Sequence, residues 1–307
     1  MNNSIPEEIH NAIQQIQLDN TSGSIELAKK SAELLIRLIN QDDSLTYLKN
    51  TAYALIKAQP NMASIFNLVN YMMFKIDRNK DKQPKKIVNA YCEKYLENLE
   101  HSDKKISEKT NEIIKNNGTI ITHSYSSTVL STFLYAKKYG KRFTVICTES
   151  RPKKEGINLA RKLGKNKIKV KLLVDSAVFS LIPYADLILV GGDAVNDTGL
   201  INKIGTKGIA MTANHYNTPI YALCSTIKFL PKNYPVTLDH LKNPDEIIKS
   251  KITNVSPINY YFDYTPLEFI TGFITEKEIL KPEEVKEKIK HIKIHKNLSS
   301  LISGNNL

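Results

Sequence analysis

The chain has 307 residues, 43 Lys and Arg against 31 Asp and Glu, and a net charge of +12. Such a length builds a substantial core without staples, and Cys92, Cys147 and Cys224, with no CxxC spacing, suit free thiols in a reducing compartment. No apolar run approaches the roughly 18 residues of a membrane span, and the N-terminus lacks the basic-then-apolar order of a signal peptide, so a soluble cytoplasmic protein is expected.

The first third reads as helices. In "SIELAKKSAELLIRLIN" the residues Ile25, Ala28, Ala32, Leu35 and Ile39 step by three and four, which places them on one face. "LTYLKNTAYALIKA" follows and is broken at Gln59-Pro60, since proline cannot continue the hydrogen-bond ladder. "MASIFNLVNYMMFKI" gives a third helix. Pro84 opens a long fourth, which Asn117-Gly118 is expected to end with Gly118 as a left-handed cap.

After Gly118 short β-rich runs alternate with helical ones. "TIITH", "FTVICTE", "VKLLVD", "LILVGG" and "PIYALC" are separated by "STVLSTFLYAKKYG", "EGINLARKLG", "SAVFSLIPYA" and "IGTKGIAMTANHYN". This alternation predicts an α/β fold: an N-terminal helical domain over residues 1–117, then a Rossmann-like, doubly wound parallel-sheet domain over 118–307. The tail "EEVKEKIKHIKIHKNLSSLI" is expected to form a terminal helix, and Cys147 and Cys224 read as small buried residues of strands.

Ligands of such sheets lie at the carboxyl ends of strands, so the polar groups there are the candidates. The first strand end supplies His123, Ser124, Ser126, Ser127 and Thr128; the second Glu149, Ser150 and Arg151; the third Asp175 and Ser176. Helix-opening amides with hydroxyls around them suit an anion, while capping explains one hydroxyl without a ligand, and both readings stay open on local grounds. His123 reads as a hydrogen-bonded structural residue before it reads as a general base. At the fourth end, Gly191-Gly192 permit close approach, Asp193 offers a carboxylate, and Asn202 and Lys203 offer a neutral and a cationic binder. Lys228 reaches the same rim. Tyr125, Phe262 and Tyr264 read as packing residues.

Lysines cluster in "KIDRNKDKQPKK", "RKLGKNKIKVK" and "EEVKEKIKHIKIHK", usually beside acids, with no Trp and no aromatic-laced basic motif. This pattern reads as a solvated surface, with RNA as a less favoured partner. No cofactor motif or metal-ligand spacing stands out.

Taken together, "THSYSSTVL", "TESRPKKEG", "VDSAV", "ADLILVGGDAVNDTGLINKIGT" and "FDYTP" resemble, in order and spacing, one superfamily. It unites the alpha, beta and delta regulatory subunits of translation initiation factor 2B with ribose-1,5-bisphosphate and methylthioribose-1-phosphate isomerases. The match covers residues 118–280 strongly, and the helical region more weakly through "NTSGSIELA" and "AQPNMASIFNLV". It implies a homodimer formed through the C-terminal domain.

In the resembling isomerases a cysteine after the first strand works with an aspartate. Here Asp193 matches the aspartate, and Ser124 stands at the cysteine, so these two are the catalytic candidates if the chain is an isomerase. A serine hydroxyl ionises far less readily than a thiol, whose free pKa is about 8.5. Two arginines of the isomerases are also replaced, with Ser22 nearest one and Gln59 at the other, and neither carries a charge to hold phosphate. Ser126, Ser127, Thr128, Asn202, Lys203 and Lys228 match positions that hold one phosphate and the sugar. The resemblance therefore implies a non-catalytic, alpha-subunit-like protein that senses a sugar phosphate or nucleotide and binds the alpha subunit of initiation factor 2. A sugar-phosphate isomerase is the alternative.

Overall fold

Among the described residues five helices precede the first strand: α1 (Glu7–Leu18), α2 (Ser24–Gln41), α3 (Leu45–Ala58), α4 (Ala63–Arg78) and α5 (Pro84–Ile113). The computed structural model describes residues 6–19, 22–232, 234–236, 238 and 241–299. Helix α1 was not anticipated, although Ile9, Ile13 and Ile16, all buried on one face, carry the helical spacing that announces it. In α2, Ala28, Ala32, Leu35 and Ile39 are buried, and Ile25 packs at the margin of the same core. Helix α4 is buried on all sides from Ala63 to Asn70, as its nearly continuous apolar sequence requires. Asn67 in that helix donates at 2.7 Å to the carbonyls of Ile227 and Phe229, which ties the helices to the sheet.

Helix α5 belongs to both layers. Val88, Cys92, Tyr95 and Leu99 enter the helical core, whereas Ile106 enters a core of the sheet. The helix ends at Ile113, earlier than the Asn117-Gly118 stop read from sequence, and the left-handed residue is Asn117 with φ 62°. Gly118 instead starts β1, because its amino neighbour already supplies the sharp turn.

The sheet strands are β1 (Gly118–His123), β2 (Phe143–Thr148), β3 (Lys169–Leu173), β4 (Leu187–Val190), β7 (Ile220–Leu223), β9 (Gly272–Ile274) and β10 (Ile279–Leu280). Their order is β10-β9-β7-β4-β1-β2-β3, parallel except for β10. Three helices, α6 (Ser127–Lys138), α7 (Glu155–Lys165) and α8 (Thr206–His215), cover it, and α9 (Pro282–Lys290) follows β10. Period-two alternation sends Ile121, Ile188 and Val190 to one face and Ile120, Leu187 and Leu189 to the other, so each face builds its own core. The α/β fold with leading helices is as expected.

Three segments differ from the sequence reading. "SAVFSLIPYA" forms two short 3-10 turns, Asp175–Ser180 and Ile182–Tyr184, because Pro183 interrupts a continuous helix. The rim "GGDAVNDTGLINKIGT" holds a hairpin of β5 (Ala194–Val195) and β6 (Gly199–Lys203), which with β8 (Phe262–Pro266) makes a second, antiparallel sheet. Asn196 Oδ1 accepts the amides of Thr198 at 3.0 Å and Gly199 at 2.8 Å, which closes that hairpin as an Asx turn. The C-terminal helix stops at Lys290 rather than running on, and residues 300–302 of that expected helix lie outside the described residues. Cys147 lies buried in β2 and Cys224 buried just past β7.

Candidate functional site

The strand order turns back at β1, which has β2 on one side and β4 on the other. Crevices form at such a reversal, outside the carboxyl ends of the strands. The chain leaves β1 through Ser124, held at φ 69°, and enters α6 at its cap Ser126. A Cβ on Gly191 would lie 2.7 Å from the Cβ of Ser126, so only glycine lets the end of β4 pack against the start of α6.

His123 is structural. Its Nε2–H donates to the Ile204 carbonyl at 2.7 Å, and Nδ1 accepts from the Thr148 hydroxyl at 2.6 Å, which fixes one neutral tautomer. Burial lowers its pKa from the ordinary 6.5, so its share of stability is present above about 6.5 and drains as pH falls. Burial pushes Asp263 the other way, up to about 6, against the amides of Lys207 and Gly205 that it accepts. Its stability contribution is therefore full below about 3.9 and lost as pH rises through about 6. Relative to the parent protein, His123→Gln should make the urea midpoint rise more on acidification between about pH 7 and 4, and Asp263→Asn should make it fall more steeply. Changes of the same sign in both variants would reject this assignment.

Most of the residues singled out from sequence stand near one rim, but their side chains bond mainly to residues that the sequence did not single out. Ser126 caps α6, its hydroxyl accepting the Val129 amide at 3.4 Å. Thr128 donates from Oγ1 to Asp103 Oδ1 of α5 at 2.7 Å. Asn202 and Lys203 end strand β6, where Asn202 Nδ2 donates to Thr206 Oγ1 at 3.0 Å. Lys203 Nζ donates to Glu155 Oε1 at 2.6 Å, and Ser124 Oγ donates to the same oxygen at 3.1 Å. Lys228 is buried and donates to the Gly192 carbonyl at 2.6 Å.

Asp193 sits at the centre. Burial raises its pKa, opposed first by Lys228 and then by a hydrogen bond from the Ser24 hydroxyl of α2 and by Lys203. Asp103 is raised for the same reason, again opposed by Thr128 and Lys228. One buried ammonium thus faces two half-buried carboxyls, and desolvation holds both toward the protonated form. Burial pushes the Cys224 thiol, which adjoins this group, up to about 12, so it stays protonated and does not replace the missing cysteine as a nucleophile.

A cleft of about 520 Å³ opens between the start of α2 and α7, with Ser22, Lys29, Asp103, Ser127, Glu155 and Arg161 in its wall. Of the candidate residues, Ser127 lines it directly, and Lys203 and Ser124 meet it through Glu155. Ser22 accepts from Lys30 at 3.3 Å. Gln59 is turned away: its amide donates to the Ile16 carbonyl at 2.8 Å and so closes the end of α1. Tyr125 is half-buried in the cleft wall, its hydroxyl accepting from Lys162 at 2.7 Å, while Phe262 and Tyr264 pack against the helical core.

The profile of the Initiation factor 2 subunit family matches residues 20–282. The chain belongs to that family. It is 31% identical over 288 residues to the ribose 1,5-bisphosphate isomerase of Archaeoglobus fulgidus, covering 90% of this chain and 91% of that one. It is 35% identical over 202 residues to the translation initiation factor eIF2B subunit alpha of Dictyostelium discoideum, covering 60% of this chain and 62% of that one. The crystal structure of the Pyrococcus horikoshii translation initiation factor eIF-2B superposes with a TM-score of 0.80 at 29% identity, over 91% of this chain and 98% of that one. Relatives of the family member thus divide between isomerases and initiation-factor subunits at similar identity, and its own residues must separate the two. No described helix is long and apolar enough to cross a membrane.

Sequence reasoning missed three residues of the candidate site. Glu155 looks like an ordinary first-turn acid of α7, and Ser24 like an ordinary start of α2. Asp103 lies mid-helix in α5 with no local signal at all. Asp175 was noted at its strand end, and it accepts the amides of Ser150 and Arg151 at 2.7 Å each, which shapes the loop before α7.

Proposed function

We propose that this chain is a non-catalytic, alpha-subunit-like regulatory member of its family that binds a phosphorylated small molecule, a sugar phosphate or nucleotide, at the carboxyl ends of β1 and β4. One observation carries the reading. Ser124, where the resembling isomerases hold a thiol, donates to a carboxylate, Glu155, that Lys203 already neutralises at 2.6 Å. With that oxygen already engaged by Lys203, Ser124 has no free base beside it to activate its hydroxyl, so the thiol of the resembling isomerases has no equivalent even though Asp193 matches their aspartate. The amides and Ser127 hydroxyl at the start of α6, beside Lys203, still suit one phosphate.

As partners, the reading takes the alpha subunit of initiation factor 2 and a second copy of the chain. Exposed apolar side chains in the C-terminal part, Phe179, Ile247, Ile258 and Tyr260, support the second copy, since they line one cleft. The isomerase remains the rival because burial holds Asp193 toward its protonated, proton-donating form.

Purified protein incubated with ribose-1,5-bisphosphate is expected to form no ribulose-1,5-bisphosphate, yet to gain thermal stability saturably with sugar phosphate. Turnover in the native Ser124 protein that Asp193→Ala abolishes would establish the isomerase instead. Failure to bind the initiation factor 2 alpha subunit at tens of micromolar, by about the affinity scale of transient complexes, would remove that partner.

A further inference from the structure

The opposite edge of the sheet carries a second concentration of charge. A cleft of about 390 Å³ at the amino ends of β1, β2 and β3 is lined by Lys137, Lys141, Arg142, Lys167 and Lys169 together with uncharged residues. Five of these are cations and none is a carboxylate. Elsewhere on this surface lysines stand beside acids, as the sequence suggested; here they do not.

The bland account is compensation of helix dipoles, since α6 ends in Lys137 and Lys138 and cations are favoured at helix C-termini. Lys141 also has local work, donating to the Ile114 carbonyl at 2.8 Å just past the end of α5. That account does not reach Arg142 or Lys169, which stand at strand starts with exposed side chains. A second feature lies on the same turn. Tyr139 is 59% exposed and stacks on Tyr135, with ring centroids 4.3 Å apart at 27°. Tyr135, Lys137, Tyr139, Lys141 and Arg142 all belong to "YAKKYGKRF". This stretch is an aromatic-laced basic segment that the sequence reading passed over, because helix α6 supplies its first half and a turn its second.

We propose that this edge binds single-stranded nucleic acid, with phosphates against Lys137, Arg142, Lys167 and Lys169 and a base on the exposed face of Tyr139. A cationic track with an open aromatic face is the arrangement that single strands use, the charges following the backbone and the ring accepting any base. An acidic peptide would find charge there but little to hold its side chains, since Phe143 and Ile168 are buried. The edge lies across the sheet from the candidate site, so this proposal does not depend on the function proposed above.

The test is fluorescence anisotropy of the full chain with labelled oligouridylate of roughly 12 nucleotides, and with its deoxy counterpart to separate RNA from DNA. Four cations predict a slope of log K against log salt of about −3, or about a fiftyfold loss of affinity between roughly 50 and 200 mM salt. Arg142→Glu with Lys169→Glu should weaken binding more than tenfold, and Tyr139→Ala about tenfold. Lys82→Glu with Lys86→Glu, an equal charge change in the groove between α4 and α5, should leave it within about twofold. Lys167→Glu, on an exposed turn, repeats the test should the first double variant fold poorly. Equal losses in the two double variants, indifference to Tyr139→Ala, or equally tight binding of polyglutamate would each overturn the proposal, as would no binding of either strand.

Discussion

Glu155→Ala is expected to cost the folded protein about 3–5 kcal/mol and to make it more responsive to phosphate. The pair it breaks is largely buried, with side chains 7% exposed for Lys203 and 20% for Glu155. Removing the carboxylate leaves an ammonium in a low dielectric with no opposite charge in contact, and that uncompensated charge is the source of the penalty. Ser124 loses its acceptor at the same time. An entering phosphate supplies the missing anion, so the variant should recover stability on adding ribose 5-phosphate, by about 2.7 kcal/mol at a hundredfold excess over its Kd. In the parent, the same phosphate must first displace Glu155. Glu155→Gln keeps one acceptor oxygen for Lys203 and Ser124, which share Oε1 in the parent, but loses the charge, and should fall between the two. Urea unfolding with and without ligand measures all three. A Glu155→Ala protein as stable as the parent, or one with no larger response to phosphate, would mean that Lys203 is not held for an anion.

Gly156→Ala should be comparably damaging for a different reason. A Cβ at this position would lie 1.9 Å from the Thr148 carbonyl oxygen and 2.8 Å from Ser150 Oγ. The first is backbone of β2 and cannot swing away, so the first turn of α7 must leave the sheet. Overpacking of this kind costs about 3 kcal/mol or more, which for a chain of this size lowers Tm by roughly 6–12 °C. The displacement also moves Glu155, Ser150 and Thr148, so His123 loses its partner at Nδ1. Calorimetry reads the loss directly, and a Tm within about 2 °C of the parent would contradict the close approach.

Much of the architecture was legible because it rests on local chemistry. The three-and-four spacing of α2, the proline that closes α3 and the β-rich runs after residue 118 each act over a few residues. What escaped depends on distant partners. The β5–β6 hairpin reads as a loop until β8, some sixty residues later, pairs with β6. Helix α1 has its isoleucines at helical spacing, but its start is weakly marked, since Pro6 stands at the cap and no side chain caps it. At the candidate site, the strand-end residues were found because sheet topology places them together. Asp103 and Ser24 come from helices that reach the same point only after folding, and no spacing encodes that. Gln59 is the converse case: the missing arginine was visible, but not that the amide closes the end of α1, 43 residues earlier in the chain.

Helix α5 is unbroken for 30 residues, about 45 Å, and it carries Asp103 between its two halves. It is a stiff strut fixed at one end among the helices and at the other against α6, through the 3.3 Å contact of Ser107 with Thr132. Asp103 fastens that strut to Thr128, in the very turn where a phosphate would sit. A ligand that altered the Asp103–Thr128 bond would therefore act on a helix that also packs against α2 and α4.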